Sequence, residues 1–171
     1  MLRILVAITD NEPGVLDRVA STFRRRGFNI HSLTVSPTLD PAVSRLTLVT
    51  DLEDRAARAA RGFLERLVNI HSVEDLTEAS PLLRDTVLLR VAASAANRQG
   101  LFQIANLFQA DVLDVGSDSM VLACSGSPER LEAFMESLRP WGLLEMGRTG
   151  AVAMHRCGDC KALPLETAVD F

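Results

Sequence analysis

Tyrosine is missing from this chain, tryptophan occurs once, and aromatic residues make up only 5% of its 171 positions. A sheet that reads single-stranded nucleic acid needs interleaved rings for the bases to stack on, so this scarcity weighs against such a partner. Lysine is nearly missing as well, since Lys161 is the only one among 18 basic residues and the net charge is −4. The one basic run, Arg24-Arg25-Arg26, falls where a first helix would end, a place that favours cations through the helix dipole. Nucleic acid is not expected as a partner. Cys124, Cys157 and Cys160 are too few, and odd in number, for a disulfide framework, which agrees with a reducing compartment. No apolar run approaches the roughly 20 residues that cross a bilayer, and the opening residues lack the pattern of a secretory signal. A cytoplasmic location is the expectation.

Catalytic motifs are equally scarce. There is no GxGxxG after a strand, no GxxxxGK[ST] loop, and no pair of carboxylates that the pattern places face to face. His31 lies inside a strand, His71 at the start of one and His155 near the tail, and none has a nucleophile to serve. His31 reads as a hydrogen-bonded structural or interface histidine. The segment His155-Arg156-Cys157-Gly158-Asp159-Cys160 holds a Cys-x-x-Cys beside a histidine, but a zinc site normally shows a second ligand pair a dozen or more residues away. That stretch is read as an exposed tail, and neither a catalytic nor a metal site is expected.

What the chain does have is a core and a rhythm. Its 47% hydrophobic content and mean hydropathy of +0.15 describe a globular protein able to bury a core. Residues 2–9 alternate with apolar side chains on both faces, which predicts a central strand. Val15, Leu16, Val19 and Phe23 fall on one stripe of a helix over 13–26, with Gly27 as its C-terminal cap. Strands over 28–36 and 44–50 are predicted to pair as a hairpin. A helix over 51–67 with Ala57, Ala60, Phe63, Leu64 and Leu67 inward, and a strand over 70–76, complete a βαββαβ unit. After a link over 78–84 the pattern repeats, with strands at 86–93, 111–115 and 119–125, helices at 98–108 and 128–138, and a last strand near 143–154. The fold class is α+β, two tandem ferredoxin-like βαββαβ units. The expected division is 1–79, 84–156 and a flexible tail at 157–171.

The segment Asn11-Glu12-Pro13-Gly14-Val15-Leu16 joins the first strand to the first helix. Pro13 suits the first helical turn, with Asp10 or Asn11 as cap. A helix start offers free N–H donors to an anion, and Gly14 lets a ligand approach the backbone. A small carboxylate would suit the place, although such turns also serve as plain connections. The second unit repeats the form in Asn97-Arg98-Gln99-Gly100-Leu101-Phe102, without the proline. This is either a diverged repeat with an altered ligand role or a chance match of two short turns.

Asn11 to Leu16, then Phe23-Arg24-Arg25-Arg26-Gly27-Phe28-Asn29-Ile30-His31-Ser32-Leu33-Thr34-Val35, then Asp40-Pro41-x-x-Ser44-Arg45-Leu46-Thr47-Leu48-Val49, resemble the small, regulatory subunit of acetolactate synthase. The resemblance runs from residue 1 to about 156 and leaves the cysteine-bearing tail outside. It implies an amino-acid-binding ACT domain over 1–79 and a C-terminal domain of related topology over 84–156. It implies a chain with no activity or cofactor of its own, which stimulates a large catalytic subunit holding thiamine diphosphate, magnesium and FAD. That large subunit would become subject to feedback by valine or another branched-chain amino acid, in the biosynthesis of valine, leucine and isoleucine. The resemblance further implies a homodimer through the ACT domains, in which Asn11, Gly14, Val15 and Leu16 of one chain and Asn29 and Ile30 of the partner hold the effector. The Asn97 to Gly100 turn and the tail depart from the family pattern. Rival readings are an amino-acid sensor serving a different enzyme and an RNA-binding βαββαβ module, the latter opposed by the missing aromatics.

Overall fold

The computed structural model describes residues 1–157. The described residues form two compact units, one built from Met1–Leu82 and residues 152–157, the other from Leu83–Ala151.

In the first unit the strands are β1 (Leu2–Asp10), β2 (Ile30–Pro37), β3 (Val43–Asp51) and β4 (Ile70–Asp75), and the helices are α1 (Val15–Arg25) and α2 (Asp54–Leu64). The sheet order is β2-β3-β1-β4, antiparallel throughout. β1 therefore lies between β3 and β4, as its two apolar faces require. Leu5, Ala7, Leu46, Leu48 and Val73 of the sheet pack against Val19 and Phe23 of α1 and Ala57, Ala60 and Leu64 of α2. Each of these side chains is nearly or fully removed from water, contributing about 1.5–3 kcal/mol for a large one. On the opposite face of β1, Val6 and Ile8 are also fully buried. The chain from Val152 returns to that face: Arg45, cross-strand from Ile8, donates to the Ala153 carbonyl at 2.8 Å, and His155 meets Glu74, cross-strand from Val6, at 2.9 Å.

The second unit holds β5 (Leu82–Ala92), α3 (Arg98–Leu107), β6 (Asp111–Val115), β7 (Ser119–Gly126), α4 (Pro128–Leu138) and β8 (Leu143–Arg148), and β9 (Val152–Met154) follows in the segment that belongs to the first unit. The order β6-β7-β5-β8 repeats that of the first sheet. Val87, Leu89, Val91, Met120 and Leu122 pack on Leu101 and Ala105 of α3 and Leu131, Phe134 and Leu138 of α4. Asp85, whose side chain is 2% exposed, is paired with Arg148 at 2.5 Å and accepts from Thr149 at 2.9 Å. The α+β class and the tandem βαββαβ order expected from the sequence are both present.

Several local expectations are corrected. The last strand near 143–154 is two strands, because Gly150 at φ +88° breaks the extended chain after Thr149 has turned toward Asp85. α2 covers Asp54–Leu64 instead of 51–67, since Asp51 ends β3 and binds the N-terminal amine. Phe63 is only half-buried and carries the Arg26 guanidinium 3.7 Å above its ring centre, which gives one of the three consecutive arginines a specific place. Leu16, expected on the inward stripe, is 45% exposed, because the stripe centres on Val15, Val19 and Phe23 and leaves it on the flank.

Candidate functional site

The turn after β1 differs from the sequence expectation in how it caps its helix. α1 begins at Val15, and its N-cap is Gly14, in the left-handed region at φ +88°, ψ −10°, with no side-chain cap. Pro13 lies outside the helix. The two expected caps are engaged elsewhere: Asn11 donates through its backbone N–H to the Ala42 carbonyl at 2.8 Å and through Nδ2 to the Pro41 carbonyl at 2.9 Å, while the Asp10 carboxylate faces β4. Asn11 thus ties the turn to the loop that opens β3. An L residue at φ +88° is strained, so glycine here answers a backbone demand, and a Cβ would meet nothing within 4 Å. The turn is open to solvent and has no capping side chain; the Val15 N–H reaches back to the Glu12 carbonyl at 3.5 Å, and those of Leu16 and Asp17 are the donors this helix start leaves over.

Of the other expected residues, Val15 is 4% exposed and anchors α1 to the core, whereas Leu16 faces outward. Asn29 and Ile30 are placed by the end of α1. The N–H of Phe28 reaches the Phe23 carbonyl at 3.0 Å, the N–H of Gly27 reaches Arg24 at 3.1 Å, and Gly27 takes φ +68°. The two phenylalanine rings meet edge to face at 5.8 Å. This is the hydrogen-bond pair and apolar contact of a Schellman motif, and it fixes the direction in which β2 starts. Thr50 Oγ1 then holds the Asn29 carbonyl at 2.5 Å, leaving the Asn29 side chain exposed.

The registers decide which of these residues meet within one chain. Ile30 is opposite Thr50, and Thr50 is opposite Arg3, so Ile30 lies level with the beginning of β1. The Asn11 turn follows Asp10 at the other end of that strand, about 23 Å away at the ordinary rise per residue. Asn11, Gly14, Val15 and Leu16 are together; Asn29 and Ile30 of the same chain are not with them.

A polar cluster that the sequence reading missed braces the turn from behind. Asn69, between α2 and β4, donates to Asp10 Oδ2 at 2.9 Å and to Glu12 Oε2 at 3.4 Å, and Arg18 of α1 donates to its Oδ1. His71 on β4 meets the other oxygen of Asp10 at 2.7 Å. These hydrogen bonds, from Asn69 first and His71 second, hold the Asp10 carboxyl below its ordinary value. A separation of 59 residues hides the Asp10–Asn69 pairing from any local pattern.

The corresponding place in the second unit is built differently. Asn97 precedes α3 in right-handed geometry, and Gly100 is inside the helix, where a Cβ would run into the Trp141 ring. The Asn97 to Gly100 form is not a second copy of the Gly14 turn. Among the described residues no group of acidic, histidine or cysteine side chains has the geometry to hold a metal ion, and the Cys-x-x-Cys pair extends outside them at Cys160. No described helix is long and apolar enough to cross a membrane.

Comparison with known proteins assigns both units. Residues 5–72 match the family model of the acetohydroxyacid synthase (AHAS) small subunit-like ACT domain, and residues 84–157 that of the small subunit of acetolactate synthase. The acetolactate synthase small subunit of Mycolicibacterium smegmatis is 37% identical over 152 residues, covering 89% of each chain. The chain belongs to the acetolactate synthase small-subunit family. A probable small subunit of Archaeoglobus fulgidus is 38% identical over 156 residues, 91% of this chain and 98% of that one. The crystal structure of the Thermotoga maritima small subunit superposes with a TM-score of 0.83 at 30% identity, covering 91% of this chain and 98% of that one. The part of a chain in this family is regulatory, with catalysis residing in the large subunit.

Proposed function

We propose that this chain activates a thiamine-diphosphate large subunit, which also holds magnesium and FAD, and makes it answer to valine or another branched-chain amino acid. The observation that carries the reading is Gly14: a left-handed, uncapped helix start with open space above its backbone. A zwitterionic effector needs donors for its carboxylate, which the α1 N–H groups supply, and an apolar wall, for which exposed Leu16 is suited. Acceptors for the ammonium and the rest of the wall come from Asn29 and Ile30, which the registers put at the far end of the sheet in the same chain. A second copy, side by side with the first, therefore completes the site. A ligand held by two chains favours the assembled arrangement by its differential affinity, which is how binding becomes regulation.

The test uses the large subunit and mixed dimers. Acetolactate formation is measured for the large subunit alone, with the parent chain, with Gly14→Asp, with Asn29→Ala, and with purified dimers that carry one variant in each chain. The parent raises the rate and valine lowers it. Each variant alone weakens the valine response by at least roughly tenfold. The mixed dimer regains one intact site of its two, because the unaltered turn of one chain faces the unaltered Asn29 of the other. An unchanged rate on adding the parent chain refutes the regulatory role, and a mixed dimer as unresponsive as either variant refutes the shared site.

A further inference from the structure

Asn69 is a polar side chain only 8% exposed, and its amide is satisfied at both ends. Arg18 can only donate and the Asp10 carboxylate can only accept, so the assignment of the amide oxygen and nitrogen is forced by the partners. Nδ2 holds Asp10 and Glu12, Oδ1 holds Arg18, and the backbone carbonyl of the same residue accepts from the Asp10 N–H at 2.9 Å. These partners bracket the turn: Asp10 comes just before Asn11, Glu12 lies within it, and Arg18 is the first residue of α1 to hydrogen-bond back to Gly14, at 3.1 Å. Through these bonds one residue reaches the turn's entry, its middle and its helical exit together.

We propose that Asn69 is the positioning residue of the effector turn, setting the angle at which the α1 N–H groups face the ligand without touching it. This rests on the reading of that turn as the effector site. Leucine at 69 would leave Asp10 and Glu12 without the donor, and aspartate would supply an acceptor where a donor is needed; only a carboxamide answers both demands in so small a space. The position also links the turn to β4, the strand that His71 and the Asn69 carbonyl connect to Asp10. A change of the turn on ligand binding is felt there first.

Asn69→Asp separates positioning from general damage. The variant keeps the size and the acceptor for Arg18, removes the donor, and sets a third carboxylate against Asp10 and Glu12, with Arg18 and His71 the other ionisable groups facing it. Valine binding at about pH 7.5 falls by at least roughly tenfold, which is about 1.4 kcal/mol. It returns toward the parent value as the pH is lowered to about 5, because a protonated carboxyl donates again and the Asp10 and Glu12 carboxylates favour that form against the pull of Arg18. Compared with the parent at the same pH, hydrogen exchange of the 11–18 amides is faster in the variant at the higher pH and matches the parent's at the lower. Binding equal to the parent's, or weakened equally at both pH values, overturns the proposal. If the parent itself binds no branched-chain amino acid, the effector reading fails, and the exchange measurement alone then decides whether Asn69 sets the turn: unchanged exchange at 11–18 rejects it.

Discussion

Asn11 to Leu16 and Asn97 to Phe102 share a form of letters, and the two glycines in them answer opposite demands. Gly14 has left-handed backbone and nothing near the place of a Cβ; Gly100 has ordinary helical backbone and the Trp141 ring pressed against that place. In the first, glycine is required by a torsion angle, and the space above it is left open. In the second, glycine is required by close packing between α3 and the 3-10 turn Arg139–Trp141, and the space is filled by the protein itself. The same spacing therefore leaves open space, the proposed place for a ligand, in one unit and holds a tryptophan in the other. An internal repeat preserves topology more faithfully than it preserves the reason for any one residue.

The largest effect expected from breaking this comparison is at Gly100. Valine there must displace a ring that packs against the second core, and overpacking of this kind costs about 1–3 kcal/mol. The helical gain of replacing glycine does little against it, because a β-branched residue is a modest helix former. Thermal melts of Gly100→Val fall by several degrees. The intrinsic fluorescence shifts too, and it reports one site only, since Trp141 is the sole tryptophan. A variant with the parent's melt and emission would mean that the ring is not wedged there.

Gly14→Ala is expected to cost less stability and more function. The methyl meets no atom, so the penalty is the left-handed backbone alone, on the order of 1 kcal/mol. Trp141 emission stays as in the parent. Valine affinity falls severalfold, because the methyl and the altered turn intrude on the ligand's space. The same strain means that Gly14→Asp carries a folding cost despite the favourable charge at a helix start, so its binding loss is read beside its melt. Gly14→Ala unfolding more easily than Gly100→Val would reverse the roles assigned to the two glycines.

The sequence made the architecture legible because periodicity of two and of 3.6 residues is a direct consequence of burying one side of each element. β1, with apolar residues on both faces, announced its central place, and Gly27 announced the end of α1. The turn was legible as an open helix start with a glycine in it, but its cap was not: Asp10 and Asn11 look like caps until Asn69, His71, Pro41 and Ala42 come from elsewhere in the chain to claim them. Leu16 sits near the apolar stripe on a helical wheel, and only the sheet's position shows that it faces out. Gly100 needed Trp141, some forty residues later, to acquire its meaning. What local pattern cannot carry is long-range partnership, and the candidate site is made of it.

The smallest expected effect concerns acid. Asp10 is held below its ordinary value of 3.8 by its hydrogen bonds to Asn69 and then to His71. A carboxyl whose folded pKa is depressed contributes stability that is fully present above the unfolded value and is lost as the pH falls through the folded one. Asp10's contribution therefore persists at neutrality and disappears over the range beneath 3.8. Asp51, lowered by the N-terminal amine, declines in the same range, and Glu129, lowered by its own backbone N–H and by Ser127, declines beneath its ordinary value of 4.5. Glu129 belongs to the second unit, so acid sensitivity by itself does not locate the effect. Asp10→Asn does: it removes the charge and leaves the other two groups untouched. The parent melts higher than the variant near neutrality, and the two curves converge as the pH drops below 3.8, because a protonated Asp10 resembles the amide. Comparing Trp141 fluorescence with far-ultraviolet circular dichroism keeps the second unit's share separate. Curves that stay parallel down through the acid range would show that the Asp10 carboxylate, for all its hydrogen bonds, does not help to hold the turn.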